Sequence, residues 1–334
     1  MLHYKSVQSF TNTILIICLC ACSLHVWSTT PGNILEGVRI GSLNYDLDTS
    51  EETAAVTLND DGYKNMPQII IPSSVTYQGK VYTVTRIGSA AFAMCKDMKS
   101  VIIPNTVTSI ADGAFFNCEG LVSVTIPNSV TIIEDEAFES CYNLTFLVLG
   151  ENVSYIGSWA FARCVRLQSL SLPASVSYIG GEAFALCRSL TSISIPAGVS
   201  FIGRGAFVAC FAATQIDVAA ENPNYCSVDG VLYNKSKDHI YQYPAGKKDA
   251  VYDIPFGVKV IEYGSFQSCQ YLTKLVIPSS VTGFGETLKT FNSIGEFVFN
   301  EECVSLKEII YPEGLDISSI GIPEHTQCIS YRPK

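Results

Sequence analysis

The chain has 334 residues, 48% hydrophobic and 16% charged, with a formal net charge of −10. That is long and apolar enough for one large or two ordinary packed domains, and its plentiful aromatic residues exclude a disordered composition. The acidic balance lacks the electrostatic footprint that a phosphate backbone or an anionic lipid surface attracts, so neither is expected as a partner.

The first element, residues 1–28, reads as a secretory signal. Lys5 leads into Ile14–Leu24, an apolar run of eleven residues. A bilayer span needs about 20, whereas eleven suits the apolar part of a signal. Two exits are open. Val26-Trp27-Ser28 offers ordinary cleavage before Thr29, while Leu19-Cys20-Ala21-Cys22 resembles the lipobox of bacterial lipoproteins, in which Cys22 is acylated. Either way the mature chain is expected to be exported, as a secreted, cell-surface or outer-membrane lipoprotein. No later segment is long and charge-free enough to span a membrane.

Residues 29–68 read as an N-terminal β cap, with two strands around the polar turn Asp48–Glu52. From there to residue 218 the chain is a repeat. Cys95, Cys118, Cys141, Cys164, Cys187 and Cys210 stand 23 residues apart, and Phe92, Phe115, Phe138, Phe161, Phe184 and Phe207 keep the same step, each after an alanine. Pro104, Pro127, Pro173 and Pro196 follow, with Gly150 in the one gap. In Leu121–Ile126 the alternation of Leu121, Val124 and Ile126 with Val122, Ser123 and Thr125 predicts a strand, which Pro127 ends. A second extended piece at 129–133 is expected to bury Val130 and Ile133. Gly88, Gly157, Gly180 and Gly203 are expected in a tight turn with positive φ. Ala-Phe-x-x-Cys is expected to be one helical or 3₁₀ turn that points Phe and Cys inward.

Residues 219–250 interrupt the phase. Val231–Tyr233 and Ile240–Tyr243 flank Asn234–Asp238, the pattern of an inserted hairpin. Its tyrosines, Tyr225, Tyr233, Tyr241 and Tyr243, either form a binding protrusion or seal a lateral hairpin against the body, and sealing is favoured. Repeats resume over 251–312 with Cys269 and a degenerate copy at Cys303, leaving 313–334 as a C-terminal cap.

A 23-residue unit cannot bury its apolar face alone, so copies must stack with equivalent strands parallel, about 4.8 Å apart. The expected fold is a β-rich solenoid with a parallel sheet along one face. The step Leu-x-x-x-x-Ile-Pro with Ile-Gly-x-x-Ala-Phe-x-x-Cys resembles the BspA-like class of leucine-rich repeats, over about residues 69–312. The resemblance implies a leucine-rich-repeat superhelix and a secreted or surface protein, more loosely adhesion to host or microbial proteins, and no shared catalytic residues.

The residues offer no catalytic motif of their own. His3 and His25 lie in or beside the signal, and His239 and His325 stand alone in turn-like sequence. There is no HExxH, Walker A or GxGxxG pattern. Asp135/Glu136 occupy a loop column that other copies fill differently. No enzyme activity, cofactor or metal is therefore expected. The cysteine column lacks a neighbouring base for nucleophilic work and the spacing of a zinc site. Disulfides are harder to exclude in an exported chain, yet equivalent side chains in stacked coils point the same way. Most of the ten cysteines after Ser28 are expected to be free, buried, small hydrophobes, with Cys226 outside the column.

The outward strand positions remain. Ser123 and Thr125, then Thr145, Phe146 and Val148, then Gln168, Ser169 and Ser171, then Thr191, Ser192 and Ser194 form a neutral surface with an apolar knob at Phe146 and Val148. It suits a protein or glycan ligand, or is a solvated face on which Ser and Thr only satisfy strand preference. The leading expectation is a non-catalytic binding protein; the alternative is a surface carbohydrate-binding accessory protein.

Overall fold

A computed structural model describes residues 33–59, 62–63, 65–285 and 297–333. The signal segment and Cys22 lie outside the described residues. The chain winds as a β-solenoid, and each coil contributes two extended segments where the sequence suggested one dominant sheet. One ribbon carries three-residue strands, running in the order Phe146–Val148, Ser123–Thr125, Ser100–Ile102 and Gln68–Ile70. It resumes as Ile193–Ile195 beside Ile216–Val218, and again from Val251–Asp253 to Gln327–Tyr331. The other ribbon stacks two-residue strands in parallel, Ser109–Ile110, Ile132–Ile133, Tyr155–Ile156, Tyr178–Ile179 and Phe201–Ile202. Both extended segments recur at the same step, so both find a parallel partner in the next coil.

The predicted inward columns are inward. Leu121, Val124, Ile126, Val130 and Ile133 are all buried, while Val122, Ser123 and Thr125 are exposed. Between them the phenylalanines stack face to face. Phe115, Phe138, Phe161 and Phe184 have neighbouring centroids 4.8–5.4 Å apart and planes within 9°. Tyr63 closes one end of the column against Phe92 at 5.1 Å.

The Ala-Phe-x-x-Cys piece is not helical. In a 3₁₀ turn every N–H bonds back three residues. Here only alternate ones do: Phe116 N–H donates to Gly113 O and Cys118 N–H to Phe115 O, whereas Phe115 and Asn117 donate to Ala137 and Glu139 of the next coil. Left-handed backbone at Gly113 (φ 58°) and Asn117 (φ 55°) breaks the helical path twice per coil. The Ile-Gly glycines also play another part than expected. None of Gly88, Gly157, Gly180 and Gly203 has positive φ. They are needed for close approach: a Cβ on Gly180 would lie 2.4 Å from Gly157 C and Ser158 N, and one on Gly203 would lie 2.3 Å from Gly181 N.

The N-terminal sheet has three strands rather than two, Ile34–Ile40, Leu43–Asp48 and Thr53–Thr57, joined antiparallel. The third then pairs in parallel with Lys80–Ile87, which converts a meander into the solenoid ladder. The insertion also differs from a lateral hairpin. Tyr225–Val228, Val231–Asn234 and His239–Gln242 form an antiparallel meander, and the last strand pairs in parallel with Val260–Ile261. Its middle strand is buried on both faces. Leu232 joins the N-terminal core, while Val231 and Tyr233 join the C-terminal one. Tyr243 takes the phenylalanine place of an added coil, stacking on Phe266 at 5.3 Å. The meander stands in series between two stacks of coils and joins their cores.

Candidate interaction faces

Among the described residues no group of His, Cys, Asp and Glu could hold a metal. His239 is not alone as its sequence suggested: it sits on a strand, with Nε2 2.6 Å from Glu262 Oε1. The partner is 23 positions on, one coil step, so the repeat itself carried that signal.

The ten cysteines from Cys95 to Cys328 are free. The column thiols do more than fill space. Cys118 Sγ donates to Phe92 O at 3.0 Å, Cys141 to Phe115 O at 3.3 Å and Cys187 to Phe161 O at 3.3 Å. Each thiol thus donates to the carbonyl of the ring-bearing residue one coil back, which already accepts the cysteine amide of its own turn and offers the thiol its second lone pair. Burial pushes Cys141 and Cys210 up to about 12 and raises Cys118, Cys164 and Cys187 well above the ordinary thiol value. A thiol held protonated is a poor nucleophile and metal ligand.

An ionisable group lines the turns. Glu139 is buried, with Arg163 Nη1 3.2 Å from its Oε1. Burial, opposed by Arg163 and reinforced by Glu136 and Glu182, pushes its carboxyl up to about 7. Its place in the loop column gave no such signal, because other coils put Ala162, Ala185 and Val208 there.

The predicted outward positions lie on the three-residue ribbon. Ser123, Thr125, Phe146, Val148, Gln168, Ser169, Ser171, Thr191, Ser192 and Ser194 are exposed. Thr145 is half-buried, and its hydroxyl donates to Val122 O at 3.1 Å. Ladder regularity is lost over 168–171, so the serines there do not continue the Phe146–Val148 strand pairing. Register groups the apolar members. Ile70 stands beside Ile102, and Val148 beside Thr125. Phe146 is 70% exposed and Ile70 61%. The N-terminal half of this face thus carries two exposed apolar pairs, Ile70 with Ile102 and Phe146 with Val148, on either side of Ser123 and Thr125, and the C-terminal half is a hydroxyl surface.

The two-residue ribbon carries a second outward column that the sequence reading passed over: Ile132, Tyr155, Tyr178 and Phe201. Tyr155 and Tyr178 stack with centroids 4.5 Å apart, and Tyr178 and Phe201 at 4.7 Å. Ile132 and Phe201 are exposed and the tyrosines half-buried. Their 23-residue step is present in the sequence, but a strand of two residues offers no alternation to mark them as a face. At its end, the Tyr225 hydroxyl accepts the Ile202 N–H at 2.9 Å, capping a strand edge that no further strand pairs. The insertion's tyrosines are mainly structural, with Tyr225, Tyr233 and Tyr243 buried.

The model of the BspA type leucine rich repeat region matches residues 85–214 and 248–331, in six copies. Among solved structures, the chain is similar to a leucine rich cell surface protein from Faecalibacterium prausnitzii, at 29% identity and a TM-score of 0.62, over 92% of this chain and 97% of that one. A leucine-rich repeat protein from Bacteroides ovatus aligns at 24% identity and 0.59, over 88% and 78%. The pneumococcal vaccine antigen PcpA aligns at 21% identity and 0.57, over 90% and 78%. The last two show the fold alone. No functionally curated protein matches the chain.

Proposed function

The chain belongs to the BspA-type leucine-rich-repeat family, and from that premise we propose that it is an exported, non-catalytic protein-binding module of the cell surface or the medium. The observation that carries this reading is the exposed apolar pairs, Ile70 with Ile102 and Phe146 with Val148, on a rigid ribbon. Exposed apolar side chains aligned by strand register give a partner area to cover at little ordering cost. Export rests on the apolar run Ile14–Leu24 and is supported by a related cell surface protein. Acylation at Cys22 and cleavage before Thr29 are separated by metabolic labelling of intact cells with a fatty-acid analogue.

The glycan reading is weaker. Sugar rings pack on exposed aromatic faces, and in the Tyr155–Tyr178–Phe201 column those faces cover one another. Protein and glycan arrays probed with the mature chain test both readings. Protein hits weakened about tenfold or more by Phe146→Ser with Val148→Ser are expected for a core contact of an interface. Sugar hits without protein hits refute the protein ligand, and turnover of a glycan or peptide refutes the absence of catalysis.

A further inference from the structure

The Ile132–Tyr155–Tyr178–Phe201 column lies on a different ribbon from the Phe146 face and differs from it in charge. Asp112 and Asp135 stand one step beyond the strands at its N-terminal end. Asp135 Oδ1 accepts the Ser158 N–H at 2.6 Å and Asp112 Oδ1 accepts the Asp135 N–H at 3.2 Å, which ties both carboxylates to the coil that carries Tyr155. Glu134 joins them, paired with Arg86 at 3.0 Å. Across 85–89, 108–112, 131–135, 154–158, 177–181 and 200–204 the cations are Arg86, which is paired with Glu134 at the N-terminal end, and Arg204 at the far end, so Asp112 and Asp135 set the sign of the N-terminal end. The column itself is preorganised. Its rings are locked by mutual stacking within 10°, so their edges and hydroxyls face outward at fixed spacing. Beside it Ser154, Ser177 and Ser200 spend their hydroxyl protons on the carbonyls of the preceding coil, leaving oxygens that accept.

We propose that this column is a docking strip for a cationic, extended polypeptide segment, whose apolar side chains cover the ring edges while its Lys or Arg groups meet Asp112 and Asp135. The proposal rests on the binding-protein reading but names a different face and the chemistry of the partner. Charge complementarity selects the occupant. The acidic end and the chain's net charge of −10 repel acidic segments and a second copy of this chain alike, and the acceptor oxygens beside the column suit N–H donors. Rigid tyrosines bury area without losing rotamer freedom, as they do in evolved binding surfaces.

The test uses the full mature chain and two capped decapeptides, one of alternating lysine and leucine and one of alternating glutamate and leucine, with binding read by fluorescence anisotropy and by tyrosine ring signals in NMR. The lysine peptide is expected to bind, shifting the rings of Tyr155 and Tyr178, and the glutamate peptide is not. Tyr178→Ser is expected to weaken binding about tenfold. Asp112→Asn with Asp135→Asn, which keeps the acceptors for the Asp135 and Ser158 amides, is expected to weaken it about threefold at low salt and less at high salt. Equal binding of the glutamate peptide, or no lysine-peptide binding, overturns the proposal. So does wild-type affinity in the aspartate double variant, which remains informative if Tyr178→Ser fails to fold. Loss of peptide binding only in Phe146→Ser overturns this strip while leaving the binding-protein reading intact.

Discussion

Glu139→Gln tests whether the interior of the turns holds a neutral carboxyl. Glu139 is buried in a column whose other members are Ala93, Phe116, Ala162, Ala185 and Val208, and its pKa is pushed from 4.5 to about 7, chiefly by burial. Between those values the folded state binds a proton that the unfolded chain has released, so stability falls as pH rises. The contribution is fully present below the unfolded pKa of 4.5 and is lost as pH climbs through about 7. The shift corresponds to about 3 kcal/mol. Glutamine imitates the protonated acid and does not titrate. Chemical denaturation of both proteins from about pH 4 to 8 should give similar stabilities at the acid end. At the basic end the variant should be more stable, by up to about 3 kcal/mol. If Glu139→Gln is instead the less stable protein at about pH 8, the carboxylate is ionised and its pair with Arg163 outweighs its burial, and the reasoning fails.

Two further outcomes follow from the coil contacts. Gly203→Ala should lower stability by about 1–3 kcal/mol, the cost of forcing a methyl against backbone that cannot swing aside; an unchanged melting temperature refutes the close approach between coils. Brief alkylation of the native protein followed by peptide mapping should label exposed Cys328 and spare Cys118, Cys141, Cys164, Cys187 and Cys210. Labelling of the column at a comparable rate would refute their burial.

Much of the fold was legible because a repeat states its own rules many times. The Phe, Cys and Pro columns declare a period, the period demands stacking, and stacking places Leu121, Val124 and Ile126 inside. The interaction faces were read less evenly. Phe146 and Val148 stood out because they interrupt a Ser/Thr pattern, whereas Tyr155, Tyr178 and Phe201 were overlooked on a strand of two residues, too short for alternation to mark a face.

The linear sequence thus determined the period, the inward columns and the absence of a recognisable catalytic motif, since each depends only on residue type and spacing. What the neighbouring coil supplies could be decided only in three dimensions. The turn at Ala-Phe-x-x-Cys is not helical because half its amides bond across to the next coil, and Gly180 is required by the backbone of Gly157 and Ser158 rather than by its own φ. The cysteine thiols find carbonyl acceptors one coil back. The insertion joins two cores because a strand alternates its side chains between them, which residues 219–250 read in isolation do not reveal.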